Sequence, residues 1–482
     1  MSGISRRRRL LVLAICCMSL LIVAVDNTIV NVALPAIGRD LDAPLSGLQW
    51  TVDSYTLVLA SLLLLSGSTG DRIGRRRTFQ IGLVIFSAGS LLCSVAPSLE
   101  WLVIFRMVQA VGGSMLNPVA MSIITNTFTE PAERARAIGV WAGVAGLSMA
   151  LGPLVGGLLV EPVGWRAIFW INVPIGVAAI LLTARFVPES RAARPRRIDP
   201  VGQLLVAVLL ATLTYGIIEG PVAGWGAAST LICFAVAAVA LAGLLIYEPR
   251  RREPLIDLRF FRSLPFSGAA VIALSAFAGL GGFLFLNTLY LQNVRGLSAL
   301  QAGLCTLPMA LTALVAAPLS GRLVARRGPR PSLVVAGAGL AASGVLLTFV
   351  TSTTPLPALL AVYAVFGLGF GMVNAPVTNT AVSGMPLAQA GVAAAVASTS
   401  RQVGQALGVA ISGSVVASAL GGVLGAGFVR AGQAAWWILA GYGALVLVFA
   451  IVSTGARARR SAERVAEQFD REERQEEKAR VG

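Results

Sequence analysis

LLVLAICCMSLLIVAVDNTIVNVALP, residues 10–35, is an apolar run that contains one charge, Asp26. A helix needs about 20 apolar residues to cross the hydrocarbon core of a bilayer, so this run is long enough to span it. The RRRR at 6–9 gives the segment the look of a secretory signal. The apolar stretch outruns a signal core and has no small-residue cleavage site, so it reads as a first membrane span. An acid at the centre of such a span costs about 2.5 to 3.5 kcal/mol on insertion scales, which makes Asp26 a residue with a task.

The rest of the chain repeats this texture. Its 482 residues are 56% hydrophobic and 12% charged, with a mean hydropathy of +0.80. That balance belongs to an all-α integral membrane protein. Apolar runs fall near 10–34, 49–69, 79–96, 101–124, 137–160, 166–186, 200–219, 228–247, 266–289, 299–321, 331–350, 357–377, 391–420 and 434–454, which predicts fourteen transmembrane helices. With the N-terminus inside, 32 of the 38 basic residues fall on cytoplasmic segments. The positive-inside rule then places both termini in the cytoplasm of a multi-pass cell-membrane protein.

The formal charge of +16 is dealt out between apolar runs instead of gathered on one face, so it reports topology and implies no nucleic acid. There is no His, and Lys478 is the only Lys. This excludes His-based acid–base chemistry and a P-loop, and the five Cys show no metal spacing. The expectation is a protein that is not an enzyme, with no metal and no bound cofactor. Thirty-seven Arg against one Lys, among abundant Ala and Gly, point to a GC-rich bacterium.

A faint repeat links the two ends of the chain. GSTGDRIG from Gly67 is answered by GRLVARRG from Gly321, with Gly74 matched by Gly328, Arg72 by Arg326, and Asp71 by Ala325. The offset implies two six-span halves, 1–186 and 266–455, separated by two inserted spans and linkers at 187–265 and followed by a charged tail at 456–482. Parallel halves of this kind are one transporter architecture. The tail reads as a solvated helix with pairs such as Glu467 and Arg471.

Intramembrane charges are few. No Asp or Glu occurs between Asp257 and Glu463, so any proton carrier must lie in the first half. Asp26 is the deepest candidate. Burial disfavours its charged form and Arg106, if close, favours it, and an acid held between those terms can change protonation as a cavity opens. Asp53 falls in the first turn of the second predicted span, where the helix dipole favours an acid. In the loop GSTGDRIGRRR, Gly67 and Gly74 allow a tight turn, and Asp71 among Arg72, Arg75 and Arg76 offers an ion-pair latch. In ALGPLVGG, Pro153 kinks its helix while Gly152, Gly156 and Gly157 permit close helix contact. Candidate substrate contacts are Asn31, Asp53, Tyr55, Gln109, Asn287 and Gln292, set among apolar walls.

Together these stretches resemble the major facilitator superfamily and, within it, the fourteen-span drug:proton antiporters. GSTGDRIGRRR is similar to its signature between spans 2 and 3. LVIFRMVQAVGG (102–113) is similar to the span-4 signature, with Ala110 in place of Gly. ALGPLVGG (150–157) is similar to the span-5 antiporter signature, and DNTIVNVALP to the span-1 signature of the fourteen-span family. The resemblance implies that the 67–77 loop is a conformational gate and that transport is export. It also implies, through Trp50, Asp53 and Tyr55, a cation-recognition or second proton role for Asp53. The expected function is proton-coupled export of amphipathic small molecules such as antibiotics and dyes, by a monomer in the lipid bilayer driven by the proton motive force. Uptake by proton symport and a non-transporting membrane sensor are the alternatives.

Overall fold

The computed structural model describes residues 5–192, 199–251, 254–383, 387–420 and 427–481. Among them there are fourteen helices long and apolar enough to cross a membrane, and no strand. They are α1 (Arg6–Asp40), α2 (Leu45–Ile73), α3 (Arg75–Ser94), α4 (Leu99–Thr127), α5 (Pro131–Val160), α6 (Ala167–Phe186), α7 (Pro200–Ala223), α8 (Ala228–Arg250), α9 (Leu264–Val294), α10 (Ala299–Arg327), α11 (Pro329–Leu347), α12 (Leu356–Val382), α13 (Val392–Leu420) and α14 (Phe428–Val452). A final helix, α15 (Ala456–Val481), is charged.

Hairpins this tight need backbone freedom. Gly74 and Gly328 join α2 to α3 and α10 to α11 at φ +125° and +77°, a region that glycine enters without a Cβ clash. The same residue type thus makes the same turn at matching places of the internal repeat.

Packing repeats as well. α1 packs on α5, α2 on α4 and α3 on α6; eight helices later, α9 packs on α13, α10 on α12 and α11 on α14. The two sets meet through α2 with α13 and α5 with α10, and α7 lies against α2 and α13. α8 is the least enclosed span, with 22% of its most apolar window buried.

Hydrogen bonds between the two sets cluster between mid-depth and one end. Gln49 Nε2 donates to the Val409 and Ala410 carbonyls at 3.3 and 2.9 Å, and Gln292 Nε2 to the Val32 carbonyl at 2.8 Å. Ser298 Oγ donates to Glu161 Oε2 at 2.9 Å, and the Asn27 and Gln405 amides pair at 3.3 Å in both directions. Nearer the Arg-rich loops, no hydrogen bond crosses between the sets among the described residues. This conformation is closed at the end remote from those loops and parted at the Arg-rich end.

The tail differs from the solvated helix that its charge suggests. Ala458, Ala462, Val465 and Phe469 form a buried stripe at helical spacing, and the Phe469 ring lies 5.6 Å from Phe260. Three- and four-residue spacing puts sparse apolar residues on one face even in a charged sequence, and that face finds the 258–262 turn.

Candidate functional site

The site is assembled on α1. On this helix Asp26 is fully buried, while Ala24 and Asn27 on either side of it are only partly so. Asp26 Oδ2 meets Arg106 Nη1 of α4 at 2.5 Å. Asp26 Oδ1 accepts from Gln109 Nε2 of α4 and from Asn172 Nδ2 of α6, both at 2.9 Å. Arg106 Nη1 also donates to Gln109 Oε1 at 2.8 Å, and its Nε to the Thr51 carbonyl at 3.3 Å. The guanidinium stacks 4.2 Å from the centre of the Tyr55 ring. Asn172 is itself held by Ser90 Oγ at 3.1 Å. Six residues on four other helices therefore surround one carboxylate, three of them bonding it directly.

This arrangement explains how an ion pair survives there. Removing two charges from water costs several kcal/mol per ion, offset only when the pairing is close and the remaining donors and acceptors are bonded. Both Asp26 oxygens are satisfied, and the Tyr55 face adds a cation–π contact. The helix spacing makes it possible: Arg106 and Gln109 stand three residues apart, so both reach from one face of α4.

Asp53 is in a different condition. α2 begins at Leu45, so the acid stands more than two turns inside the helix, fully buried and not in the half-solvated first turn expected from the apolar run. Pro44 and the polar LSGLQW segment hid the true start. Neither Asp53 oxygen has a hydrogen-bond partner among the described residues. Its face of α2 continues through Leu57 and Ala60, which pack with Val206 and Leu210 of α7 and Ala406 of α13. One turn away, Trp50 Nε1 donates to Glu219 Oε1 at 2.8 Å, tying α2 to the inserted α7.

The two motifs flanking the site occupy opposite ends. In GPLVGG, a Cβ on Gly152 would press on Thr28 of α1, and one on Gly157 would come within 2.5 Å of Leu300 Cα of α10. The motif thus seats α5 against both six-helix sets at the closed end. At the parted end, Asp71 near the end of α2 pairs with Arg75 at the start of α3 at 2.8 Å, and the Arg76 amide donates to Glu189 Oε1 at 3.1 Å. Arg72 is exposed and Gly67 faces Pro118. In this conformation the loop is fastened to the segment that follows α6 in its own half.

The other candidates are spread out. Tyr55 and Gln109 belong to the Asp26 cluster. Asn31 Nδ2 donates to the Asn27 carbonyl at 3.3 Å, leaving Oδ1 unbonded. Asn287 is buried and accepts from Tyr363 of α12. Gln292 crosses to α1 at the closed end. Asn172, Ser90, Gln49, Gln405 and Glu189 are absent from the sequence-derived set. An Asn at the head of an apolar run in INVPIG was the only signal for Asn172, and nothing local links it to Asp26. A crevice of about 490 Å³ between α7 and α13, lined by Ile217, Trp225 and Ile411 among others, lies at the closed end away from both acids.

Comparison with known proteins follows the same lines. Residues 16–409 match the Major Facilitator Superfamily. The chain is 39% identical over 389 residues to the tetracenomycin C resistance and export protein of Streptomyces glaucescens, covering 80% of this chain and 72% of that one. It is 36% identical over 401 residues to the multidrug resistance protein Stp of Mycobacterium tuberculosis, covering 83% and 74%. It is 37% identical over 393 residues to the multidrug efflux pump LfrA of Mycolicibacterium smegmatis, covering 81% and 78%. Among solved structures, the fold is similar to a bacterial homologue of the lysosomal transporter Spinster in an inward-facing, occupied conformation, with TM-score 0.65, 16% identity and 96% and 98% coverage. It is similar also to the xylose transporter XylE of E. coli, with TM-score 0.63, 16% identity and 92% and 97% coverage.

Proposed function

The chain belongs to the Major Facilitator Superfamily as a multi-pass drug-efflux transporter, and we propose that it drives export with protons that load and leave at Asp26. The observation that carries this reading is the closed Asp26–Arg106 pair, buried in the first half with Gln109 and Asn172 as further donors. Such a cluster has two charge states. With Asp26 ionised, the pair is neutral overall; with Asp26 protonated, Arg106 keeps Gln109, the Thr51 carbonyl and the Tyr55 and Phe169 faces as compensation. Because no water reaches Asp26 in this conformation, exchange of its proton requires the helices around it to move.

Alternating access supplies that motion. The parted end carries the Arg-rich loops, which the charge asymmetry assigns to the cytoplasm, so the space between the halves here opens to the cytoplasm and takes up substrate. Rocking about the α2–α13 and α5–α10 seams breaks the Gln49, Gln292 and Ser298 bonds at the far end and releases substrate outside. One proton moving down 100 mV releases about 2.3 kcal/mol. At about 1.36 kcal/mol per decade, this sustains roughly a 50-fold gradient of a neutral substrate. One carboxylate is therefore sufficient, with the pump working as a monomer and no cofactor beyond the proton motive force. Asp53, buried without a donor, is a second place for a proton.

Inverted membrane vesicles acidified inside provide the test, with tetracenomycin C as substrate. Antiport alkalinises the lumen on substrate addition, symport moves protons the other way, and a sensor gives no response. Asp26→Asn abolishes the signal while the protein still inserts. A variant that kept substrate-driven alkalinisation would remove Asp26 from the coupling step.

A further inference from the structure

Arg401 is a basic residue within a second-half span that the coupling cluster leaves unused. Residues 258–462 contain no Asp or Glu, so this half offers it no counter-charge. Among the described residues its one hydrogen bond runs from Nη2 to Thr378 Oγ1 at 2.8 Å, while its Nε is buried and unbonded. The helix that carries it begins at Leu387, fourteen positions earlier and about 21 Å along the axis, so Arg401 stands well inside the helix and not at its end.

Its direction is set by its neighbour one turn on. Gln405, four residues along the same face of α13, pairs with Asn27 of α1. Arg401 therefore lies on the face of α13 turned towards the first half, one turn closer to the parted end, where among the described residues no group of that half bonds it. Thr378 and Asn374, also one turn apart, form an exposed edge of α12 beside it. About two turns deeper on α12, Phe370 meets Phe277 of α9 edge-on with ring centres 5.1 Å apart. Phe370 is buried and Phe277 half-buried, so the ring on offer is that of Phe277, and a lone guanidinium about two turns below it is a site that lacks an anion with a flat apolar body.

Resting on the export reading and extending it to the cargo, we propose that Arg401 and Thr378 form the polar end of the substrate site, and that the preferred cargo is an amphipathic aromatic anion. Carboxylate, sulfonate and phenolate groups all supply the missing charge, and Arg presents a planar donor fork to them. A cationic drug would meet an uncompensated like charge at the same place.

The test uses protein in phosphatidylcholine nanodiscs with no gradient, and two fluorescent probes sharing one ring system. 8-Anilinonaphthalene-1-sulfonate carries the anion; N-phenyl-1-naphthylamine lacks it. Arg401→Gln weakens the sulfonate about tenfold and leaves the neutral probe unchanged, since a hydrogen bond to a charged group is worth about one decade or more. Arg401→Lys keeps part of the difference, and Thr378→Val lowers sulfonate affinity by a smaller factor even if Arg401→Gln folds poorly. Equal loss of both probes, or loss of neither, overturns the assignment. So does competition by phosphatidylglycerol, which would make this a lipid headgroup site. Because binding is read without a gradient, failure here leaves the Asp26 reading standing, and failure of Asp26→Asn leaves this one.

Discussion

The two six-helix sets solve one packing problem with different chemistry. In the first, α1 is fastened to α4 by the buried Asp26–Arg106 pair. In the second, the matching helices α9 and α12 are fastened by the neutral Asn287–Tyr363 pair and by Phe283 stacked on Phe366 at 4.2 Å. The 254-residue offset from Gly67 to Gly321 carries Gln109 onto Tyr363 but Asp26 onto Leu280, so the second fastening joins the matching helices with its α9 residue about two turns from the place of Asp26. A charged fastening has two protonation states, whereas an amide–phenol pair and a ring stack have one over the working pH range. On the proposed proton-coupled reading, the switch belongs to the first half and the second is a fixed frame.

The sharpest way to break this comparison is to cut both fastenings. Arg106→Gln leaves Asp26 buried without its counter-charge and costs about 3–5 kcal/mol, with loss of transport. Tyr363→Phe leaves one amide short of a donor and costs about 1–3 kcal/mol, with transport retained. Thermal unfolding in detergent and drug resistance in a pump-deficient host read both, and equal effects would end the asymmetry.

A smaller effect is expected at the seam between the sets. Gly157→Val overpacks α5 against the α10 backbone and costs about 1–3 kcal/mol. Spin labels at Leu41 and Leu297 on the closed end should then move apart, and an unchanged distance distribution would show that Gly157 does not hold that end shut. The smallest change belongs to the 67–77 loop. Arg75→Ala removes a partly exposed ion pair across the α2–α3 turn and lowers stability by about 0–1 kcal/mol. A larger loss would mean that the Asp71–Arg75 pair holds more than its own loop.

Much of the fold was legible because its determinants are local. Hydropathy gives a span wherever about 20 apolar residues run together, and fourteen such runs are present. The broken stretches show the limit: α12 interrupts its α-helix near Met372 and Val373 and resumes at Asn374, which no average of hydropathy reveals. The candidate site was half legible. Asp26 and Arg106 announced themselves as charges in apolar runs, while Asn172, 146 positions from Asp26, gave no sign of being its ligand.

What the amino-acid sequence determined by itself is an inventory: fourteen spans, the side on which the arginines lie, and a second half without a carboxylate. Composition and hydropathy fix these because membrane insertion is settled one segment at a time. Tertiary structure alone decided which charges meet. It closed Asp26 on Arg106, left Asp53 without a donor among the described residues and set Arg401 against Thr378 of α12, because each outcome depends on the rotation and depth of helices distant in sequence.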